Sequence, residues 1–260
     1  MLVIASPAAA RPFRVMSINQ CTDQYALMLL PPERITSVSW LARDASGSLV
    51  AARARRVASN RGTAEEVARQ KPDLVLAGTY TTPATRALLK RLGYPLLEVD
   101  DATDFAAIRA TTRRIAAAVG ARARGEALIA RMDRMLAALA RGPKPLVTVA
   151  AWDSAGFGAR PGSLYDALLS AAGADNVAHR PPASRHGSPS AEVLLAAAPR
   201  VLVRGTTRRA ASDLSGDAAR HPAVRRTWRG RTVTLSSAYY ACGTPFSVDG
   251  AVKLRAALAG

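Results

Sequence analysis

Short, continuously apolar runs alternate along the chain with amphipathic stretches of helical period. Runs of this kind, without the alternation of a half-exposed strand, are typical of parallel sheets covered on both faces. The predicted strands are Phe13–Ile18, Ile35–Ser39, Leu74–Leu76, Pro95–Val99, Leu146–Ala151, Val201–Val203 and Thr232–Leu235. The predicted helices between and after them are Tyr25–Leu30, Pro83–Leu92, Phe105–Val119, Arg122–Ala140, Leu164–Ala171 and Val248–Leu258. The pattern predicts an α/β protein.

One segment of the chain occurs twice. Residues 63–79 read TAEEVARQKPDLVLAGT and residues 190–206 read SAEVLLAAAPRVLVRGT, at a constant offset of 127. Each copy predicts a short helix, a proline that ends it, and a buried strand that finishes at a glycine. One copy in each half of the chain predicts two similar α/β lobes.

A long amphipathic stretch separates the two halves. Arg122–Ala140 places large apolar side chains on one helical face, namely Leu128, Ile129, Met132, Met135, Leu136 and Leu139. A helix of this length spans about 30 Å, enough to join two lobes. We therefore predict two Rossmann-like lobes with mostly parallel sheets joined by one long linker helix. The predicted divisions are a signal-peptide remnant at 1–10, a first lobe at 11–120, the linker at 121–141 and a second lobe at 142–260.

The chain is strongly basic, but this large net charge gives little evidence about its partner. Its 260 residues carry 36 Lys and Arg against 19 Asp and Glu, a net charge of +17. Such a charge raises the question of a nucleic-acid partner. The excess is spread evenly, with +7 in residues 1–130 and +10 in residues 131–260. The densest stretch, Arg204–Arg231, holds a single aromatic, Trp228, which disfavours a base-stacking surface. We therefore expect no nucleic-acid partner, with a local anion-binding or docking patch as the alternative.

The N-terminal residues Met1–Ala10 are apolar and then small, and they end in Ala8-Ala9-Ala10. This pattern resembles the end of a secretory signal peptide, although the charged start of such a peptide is missing. It predicts export to the periplasm, and a cytosolic terminus is the alternative. No apolar run reaches the roughly 18 residues of a membrane span.

Several local sequences resemble those of the helical-backbone, or class III, periplasmic substrate-binding proteins of ABC importers. They are Arg34–Ser39, which resembles a "RIVGVS" strand; Lys71–Leu76, which resembles "KPDLVL"; and the turns Leu92–Pro95 and Ala172–Val177. The resemblance covers nearly the whole chain, from Phe13 to Leu258. Members of this family deliver cobalamin, ferric siderophores or haem to a membrane permease.

The resemblance implies a mechanism. The ligand binds in the cleft between the lobes, and one acidic residue on each lobe docks onto arginines of the permease dimer. The matching positions are Glu65 and Glu192, which the repeat places equivalently. The alternative interpretation is that both are ordinary acidic residues in the first turn of a helix, favoured there by the helix dipole.

Residues of the cleft are expected in the segments just after strands. The candidates are Asn19, Gln20, Trp40, Tyr80, Trp152, Arg160, His186, Tyr239 and Tyr240. Aromatic side chains would stack on a planar macrocycle or an aromatic chelate, and Arg160 would pair with a carboxylate or phosphate. For each single aromatic, packing in the core is the alternative.

The positions of the cysteines and histidines limit the cross-links and metal-ion sites that the protein can form by itself. Cys21 and Cys242 fall in predicted strand-to-helix loops of different lobes and would form a disulfide across the cleft; separate buried thiols or soft metal ligands are the alternatives. The three histidines, His179, His186 and His221, all lie in the second half. This disfavours a dedicated metal-ion site, so we expect no intrinsic metal or cofactor and a metal that arrives already chelated.

Enzymatic motifs are not evident. The glycine-rich stretch Gly156–Gly162 is one residue too long for a dinucleotide-binding fingerprint and contains Pro161. The predicted function is therefore that of a non-enzymatic, monomeric binding protein that captures a ferric siderophore or cobalamin in the cleft and delivers it to the permease dimer of an ABC importer. A haem-binding protein of the same class and a chelatase-like tetrapyrrole enzyme are the alternatives.

Overall fold

The computed structural model of the chain describes residues 14–153, 158–181, 183, 190–206, 218 and 221–259. They form two parallel β-sheets, each with helices on both faces. The first sheet has the order β3-β2-β1-β4-β5, and all neighbouring strands in it are parallel. Its strands are β1 Val15–Ser17, β2 Ile35–Ser39, β3 Ser59–Asn60, β4 Leu74–Gly78 and β5 Leu96–Val99.

The second sheet repeats this plan with the order β7-β6-β8-β9, again with parallel neighbours. Its strands are β6 Thr148–Asp153, β7 Asp175–Asn176, β8 Val201–Thr206 and β9 Thr232–Ser236. The helices are α1 Gln20–Leu29, α2 Ala51–Ala54, α3 Ala64–Gln70, α4 Pro83–Arg91, α5 Phe105–Ala118, α6 Arg122–Arg141, α7 Leu164–Ala172, α8 Ala191–Ala197, α9 Pro222–Thr227 and α10 Ser247–Ala259. The predicted fold class is confirmed.

The sequence repeat is also a structural repeat. Helices α3 and α8 begin and end at positions 127 residues apart. Each is capped at its N-terminus by a hydroxyl side chain, Thr63 or Ser190, that accepts a hydrogen bond from a backbone N–H. Each ends at a residue with left-handed backbone, Lys71 at φ 47° and Ala198 at φ 43°, which turns the chain into the next strand.

The hydrophobic clusters show that the two sheets turn corresponding faces to the same side of the molecule. Helix α5 contributes Ile115 to the cluster that covers one face of the first sheet and Ile108 to the cluster that covers one face of the second. These two faces therefore lie on the same side of the molecule, the back side, which carries α1, α5, α6, α7 and α10. Helices α3 and α4 pack on the other face of the first sheet, and α8 and α9 on that of the second. These four helices form the front side.

The linker helix α6 matches its predicted start and ends one residue later than expected. It does not join the lobes alone, because α5 packs against it and belongs to the cores of both lobes. The predicted lobe limits at 120 and 142 stay a prediction. Within the described residues, no helix is long and apolar enough to cross a membrane.

Two differences from the predicted elements have clear causes. Helix α1 begins at Gln20 rather than Tyr25, because the Asn19 side chain accepts hydrogen bonds from the N–H groups of Cys21 and Thr22 and caps the helix. Strands β3 and β7 were missed because each has only two residues and lies at a sheet edge. A hydrophobic pattern needs a longer window than that.

Candidate ligand-binding cleft

A covalent bond joins the lobes where the carboxyl ends of the two sheets approach each other. Cys21 and Cys242 form a disulfide with their Cα atoms 5.0 Å apart. The predicted pairing is confirmed. The predicted placement of Cys21 in a loop was wrong, since this residue lies in the first turn of α1. Cys242 lies in the segment between β9 and α10, so the bond connects the middle of the first sheet to the edge of the second.

Three further contacts surround the disulfide. The Tyr25 hydroxyl donates to the Gly243 carbonyl oxygen at 2.7 Å, and the Ser237 hydroxyl donates to the Ser46 carbonyl oxygen at 2.8 Å. A Cβ added at Gly243 would lie 2.4 Å from the carbonyl oxygen of Ala102, so only glycine permits this approach. All of these groups belong to the back side or to the sheet edges beside it. The cleft is therefore joined at its back.

Polar side chains in the first two turns of α1 hold the segment that follows β2. Asp23 accepts hydrogen bonds from the backbone N–H of Ser39 at 3.0 Å and from its hydroxyl at 2.5 Å. Gln24 accepts from the N–H of Leu49, and Gln20 donates to the carbonyl oxygen of Gly47. The segment from Ser39 to Leu49 is thus fixed at both ends, and it carries the candidate Trp40.

Asp23 is an unusual group for this position. Its side chain has no solvent exposure. Burial raises the pKa of Asp23 to about 7, and hydrogen bonds from Ser17 and Ser39 offset only part of that effect. Because a buried carboxylate without a cation is costly, the carboxyl group of Asp23 keeps its proton over a much wider pH range in the folded protein than in the unfolded chain.

Two of the candidate aromatic residues present large exposed surfaces at the carboxyl edge of the first sheet. Trp40 follows β2 and is 54% exposed, and Tyr80 follows β4 and is 81% exposed. Strands β2 and β4 lie on either side of β1, so the two rings flank the central strand of this lobe. Arg160 is exposed in the segment after β6, the central part of the second sheet. All three side chains are exposed.

The other candidates have structural contacts that compete with a ligand role. Asn19 caps α1 and Gln20 binds Gly47, as described above. Trp152 is only 2% exposed and packs in the core beneath α8 and α9. Tyr240 stacks on Tyr165 of α7, with ring centroids 4.0 Å apart, and Tyr239 packs against α10 beneath the ammonium group of Lys253. His186 lies outside the described residues.

The two acidic candidates occupy equivalent exposed positions. Glu65 lies in the first turn of α3 and Glu192 in the first turn of α8, both on the front side. The pKa of Glu65 is lowered by its own backbone N–H and by the Thr63 hydroxyl. The pKa of Glu192 is lowered by the Ser190 hydroxyl and its own backbone N–H, with a smaller contribution from His221. Both side chains are therefore anionic at neutral pH.

Sequence reasoning missed the residues that shape the cleft from behind. Asp23, Tyr25, Ser46, Ser237 and Gly243 were not among the candidates. A signal existed in the polar run Asn19–Gln24 directly before an apolar helix, which is typical of a capped first turn whose side chains serve other segments. Among the described residues, no group of three His, Cys, Asp or Glu side chains is placed to hold a metal ion.

The fold and the cleft define a two-lobed ligand-binding protein whose lobes are joined by a long helix. The family model for periplasmic binding proteins matches residues 15–227. The chain belongs to this family. No curated protein sequence matches the chain significantly.

Solved structures similar to this fold include three proteins that are named for different ligands. The periplasmic heme-binding protein RhuT from Roseiflexus sp. RS-1 has 24% identity and a TM-score of 0.72, covering 95% of this chain and 99% of its own. An ABC-type Fe3+-hydroxamate transport protein from Saccharomonospora viridis has 18% identity and a TM-score of 0.70, covering 96% and 94%. The periplasmic vitamin B12 binding protein BtuF of Vibrio cholerae has 16% identity and a TM-score of 0.68, covering 95% and 96%. These are class III periplasmic binding proteins, as the sequence predicted.

The disulfide makes a first prediction. Replacing Cys21 and Cys242 together by serine removes a cross-link between residues 221 positions apart in the sequence. We expect the unfolding free energy to fall by about 2–5 kcal/mol, since a long closed loop no longer restricts the unfolded chain. Thermal or urea unfolding measures the change. Dithiothreitol should destabilise the wild type to the same extent and leave the double variant unchanged; two free thiols in the oxidised wild type would contradict the assignment.

Asp23 makes a second prediction. Its pKa in the folded protein is raised from 3.8 to about 7, so the folded state binds the proton more tightly than the unfolded state. The resulting stabilisation is present in full below pH 4 and is lost as the pH rises toward 7, with a slope approaching about 1.4 kcal/mol per pH unit. In Asp23→Asn, an isosteric and neutral replacement, this loss should be absent. Urea unfolding between pH 4 and pH 8 tests it: parallel profiles for the two proteins would contradict the assignment.

Proposed function

We propose that the protein is the solute-binding component of an ABC importer and captures a metal chelate in the cleft between its lobes. The observation that carries the proposal is the pair of exposed aromatic rings, Trp40 and Tyr80, on either side of the central strand at the carboxyl edge of the first sheet. This edge is where open α/β sheets bind ligands. Exposed aromatic rings on a fixed scaffold supply flat contact area at low entropic cost.

The positions of the charges support an anionic chelate. Arg160 is exposed on the second lobe in the segment that follows β6, and a guanidinium group pairs with a carboxylate or phosphate through two hydrogen bonds. Ferric siderophores, cobalamin and haem all combine a bulky ring or chelate with polar groups. The similar structures described above are named for heme, Fe3+-hydroxamate and vitamin B12, which belong to these three classes. We propose a ferric siderophore or cobalamin as the ligand, with haem as the alternative.

The cleft residues fall into two groups in this proposal. Trp40, Tyr80, Arg160 and His186 contact the ligand. Asn19 and Gln20 fix the wall behind it, and Tyr239 and Tyr240 contribute the exposed edges of half-buried rings. Trp152 is left out, because its ring packs in the core of the second lobe.

Delivery requires a partner, and the front side supplies the contacts. We propose that Glu65 and Glu192 bind arginine side chains of a permease dimer in the membrane, one from each lobe. Both are exposed, anionic and held in equivalent geometry by the same type of helix cap. A carboxylate and a guanidinium group bind in a defined orientation, which aligns the cleft with the permease. In this proposal the protein is exported to the periplasm and acts as a monomer.

Ligand binding makes a third prediction. Calorimetric titration with ferrichrome, hydroxocobalamin and haemin should show 1:1 binding of one of them. Trp40→Ala and Tyr80→Ala should each weaken that binding about tenfold, because each removes a stacking surface worth about 1–1.5 kcal/mol. Leu92→Ala is the matched control, since Leu92 is also 54% exposed but lies at the end of α4, away from the cleft. No binding of any probe, or equal affinity of all variants, would contradict the proposal.

Docking makes a fourth prediction. Glu65→Gln and Glu192→Gln should each weaken association with the purified permease complex about tenfold or more, because a neutral amide cannot form the charged pair. Ligand affinity should be unchanged in both. Glu33→Gln is the control, since Glu33 is exposed at the opposite end of the first lobe, just before β2. Surface plasmon resonance on permease in nanodiscs measures association; equal weakening by Glu33→Gln would contradict specific docking.

A further inference from the structure

Trp40, one of the two exposed rings of the proposed cleft, lies on a short turn that is tied to a buried acid. The turn is a 3₁₀ helix, Trp40–Arg43, that begins directly after β2. Its N-cap is Ser39, and a serine at this position usually caps the helix with its own hydroxyl. Here the hydroxyl makes no capping bond and donates to Asp23 of α1 at 2.5 Å, and the Ser39 backbone N–H donates to the same carboxyl group at 3.0 Å. The start of the turn is therefore fixed from α1.

The other end of the turn has a separate attachment. The Arg43 guanidinium group donates to the carbonyl oxygens of Ala54 at 3.4 Å and Val57 at 2.8 Å. Asp23 is thus the attachment next to Trp40, and Arg43 is the attachment three residues away. The turn that carries Tyr80 is held differently, since the Thr81 backbone N–H donates to the Gly78 carbonyl oxygen within the same turn.

The surroundings of Asp23 suit a neutral carboxyl group. Its side chain has no solvent exposure, and burial raises its pKa to about 7, partly offset by hydrogen bonds from Ser17 and Ser39. Strands β1, β2 and β4, which pack against α1, contain no charged residue. Charged groups on neighbouring segments are not among the causes of the shift; they are Arg43, Asp44, Asp101, Arg109, Arg113 and Arg114.

An ionised Asp23 would need more hydrogen-bond donors than this site supplies. The Ser17 hydroxyl is already shared with the Thr22 hydroxyl at 2.8 Å. A buried carboxylate without a cation is costly, and water is the remaining source of donors. Water reaches the carboxylate only when the segment that begins at Ser39 moves away from α1. The protonation of Asp23 and the position of the turn are therefore linked.

We propose that Asp23 is a positioning residue for ligand binding, because its neutral carboxyl group holds Ser39 and thereby keeps the exposed ring of Trp40 in the position that contacts the chelate. Asp23 itself does not touch the ligand. The proposal rests on the function proposed above, which makes Trp40 a ligand contact. It adds that the contact is strongest while Asp23 is protonated and weakens when the proton is lost.

The first measurement needs no ligand. The chain has three tryptophans, and Trp40 is 54% exposed, whereas Trp152 and Trp228 are 2% and 3% exposed. Acrylamide quenching of tryptophan fluorescence therefore reports mainly on Trp40, and Trp40→Phe gives the background. Wild type, Asp23→Asn and Asp23→Ala are compared from about pH 5 to about pH 9, on either side of the Asp23 transition.

Asp166→Asn is the matched control for quenching. Asp166 is also a buried acid in the first turn of a helix, α7 of the second lobe, and its carboxyl group accepts hydrogen bonds from Asn176 and Gly162. It makes no printed contact with the turn of Trp40, so its variant should follow the wild type. Circular dichroism and unfolding temperature confirm that each variant is folded, and the comparison of wild type with Asp23→Asn stands without Asp23→Ala.

We expect quenching of the wild type to increase as the pH rises through about 7. In Asp23→Asn quenching should stay low at every pH, because the neutral amide can accept from the Ser39 N–H and donate to the Ser39 hydroxyl. In Asp23→Ala it should be high at every pH, since both hydrogen bonds are lost. A flat profile for the wild type, or an increase in Asp23→Asn equal to that of the wild type, would overturn the proposal.

The second measurement is the affinity for whichever of ferrichrome, hydroxocobalamin and haemin binds. Wild type and Asp23→Asn should bind equally at the acidic end, and the wild type about tenfold more weakly at the alkaline end, as expected for the loss of one or two hydrogen bonds. Comparing the two proteins at each pH cancels the titration of the ligand itself. Equal affinities throughout would overturn the role in binding. If none of the three binds, the proposed function fails, and the quenching profiles still decide whether Asp23 positions Trp40.

Discussion

The disulfide between Cys21 and Cys242 fixes where the two lobes can meet. It joins the first turn of α1, beside the central strand of the first sheet, to the segment after β9 at the edge of the second. The hydrogen bonds from Tyr25 to Gly243 and from Ser237 to Ser46 lie around it. The lobes are thus joined at the back of the cleft by the disulfide and its neighbouring hydrogen bonds, and α5 is shared between the two cores.

The same part of α1 also holds the segment that carries Trp40, a candidate ligand-binding residue. Cys21 connects this part of α1 to the other lobe, while Asp23 and Gln24 hold the segment that carries Trp40. The first turns of α1 are therefore tied both to the other lobe and to the segment that carries Trp40. The front side carries the two candidate docking residues. There the repeated helices α3 and α8 present one exposed carboxylate each, Glu65 and Glu192.

Much of the fold could be predicted from the sequence because its signals are local. The continuous apolar runs identified the parallel strands, the 19-residue amphipathic stretch identified α6, and the offset of 127 identified the two lobes. The repeat also placed Glu65 and Glu192 in equivalent first turns. The short edge strands β3 and β7 could not be predicted, because a segment of two residues shows no hydrophobic periodicity. Of the predicted cleft aromatics, Trp40 and Tyr80 are exposed, while Trp152 is packed in the core and Tyr240 stacks on Tyr165.

By itself the sequence determined the α/β class, the two-lobe plan, the linker helix and the family, since each depends on patterns within a few tens of residues or on a repeat of one pattern. Only the tertiary structure decided that Trp152 packs in the core, that Cys21 reaches Cys242, that Asp23 is buried against Ser39, and that Tyr240 stacks on Tyr165. These features depend on contacts between segments as many as 221 positions apart. Such contacts are set by how the sheets and helices pack, and no local pattern records them.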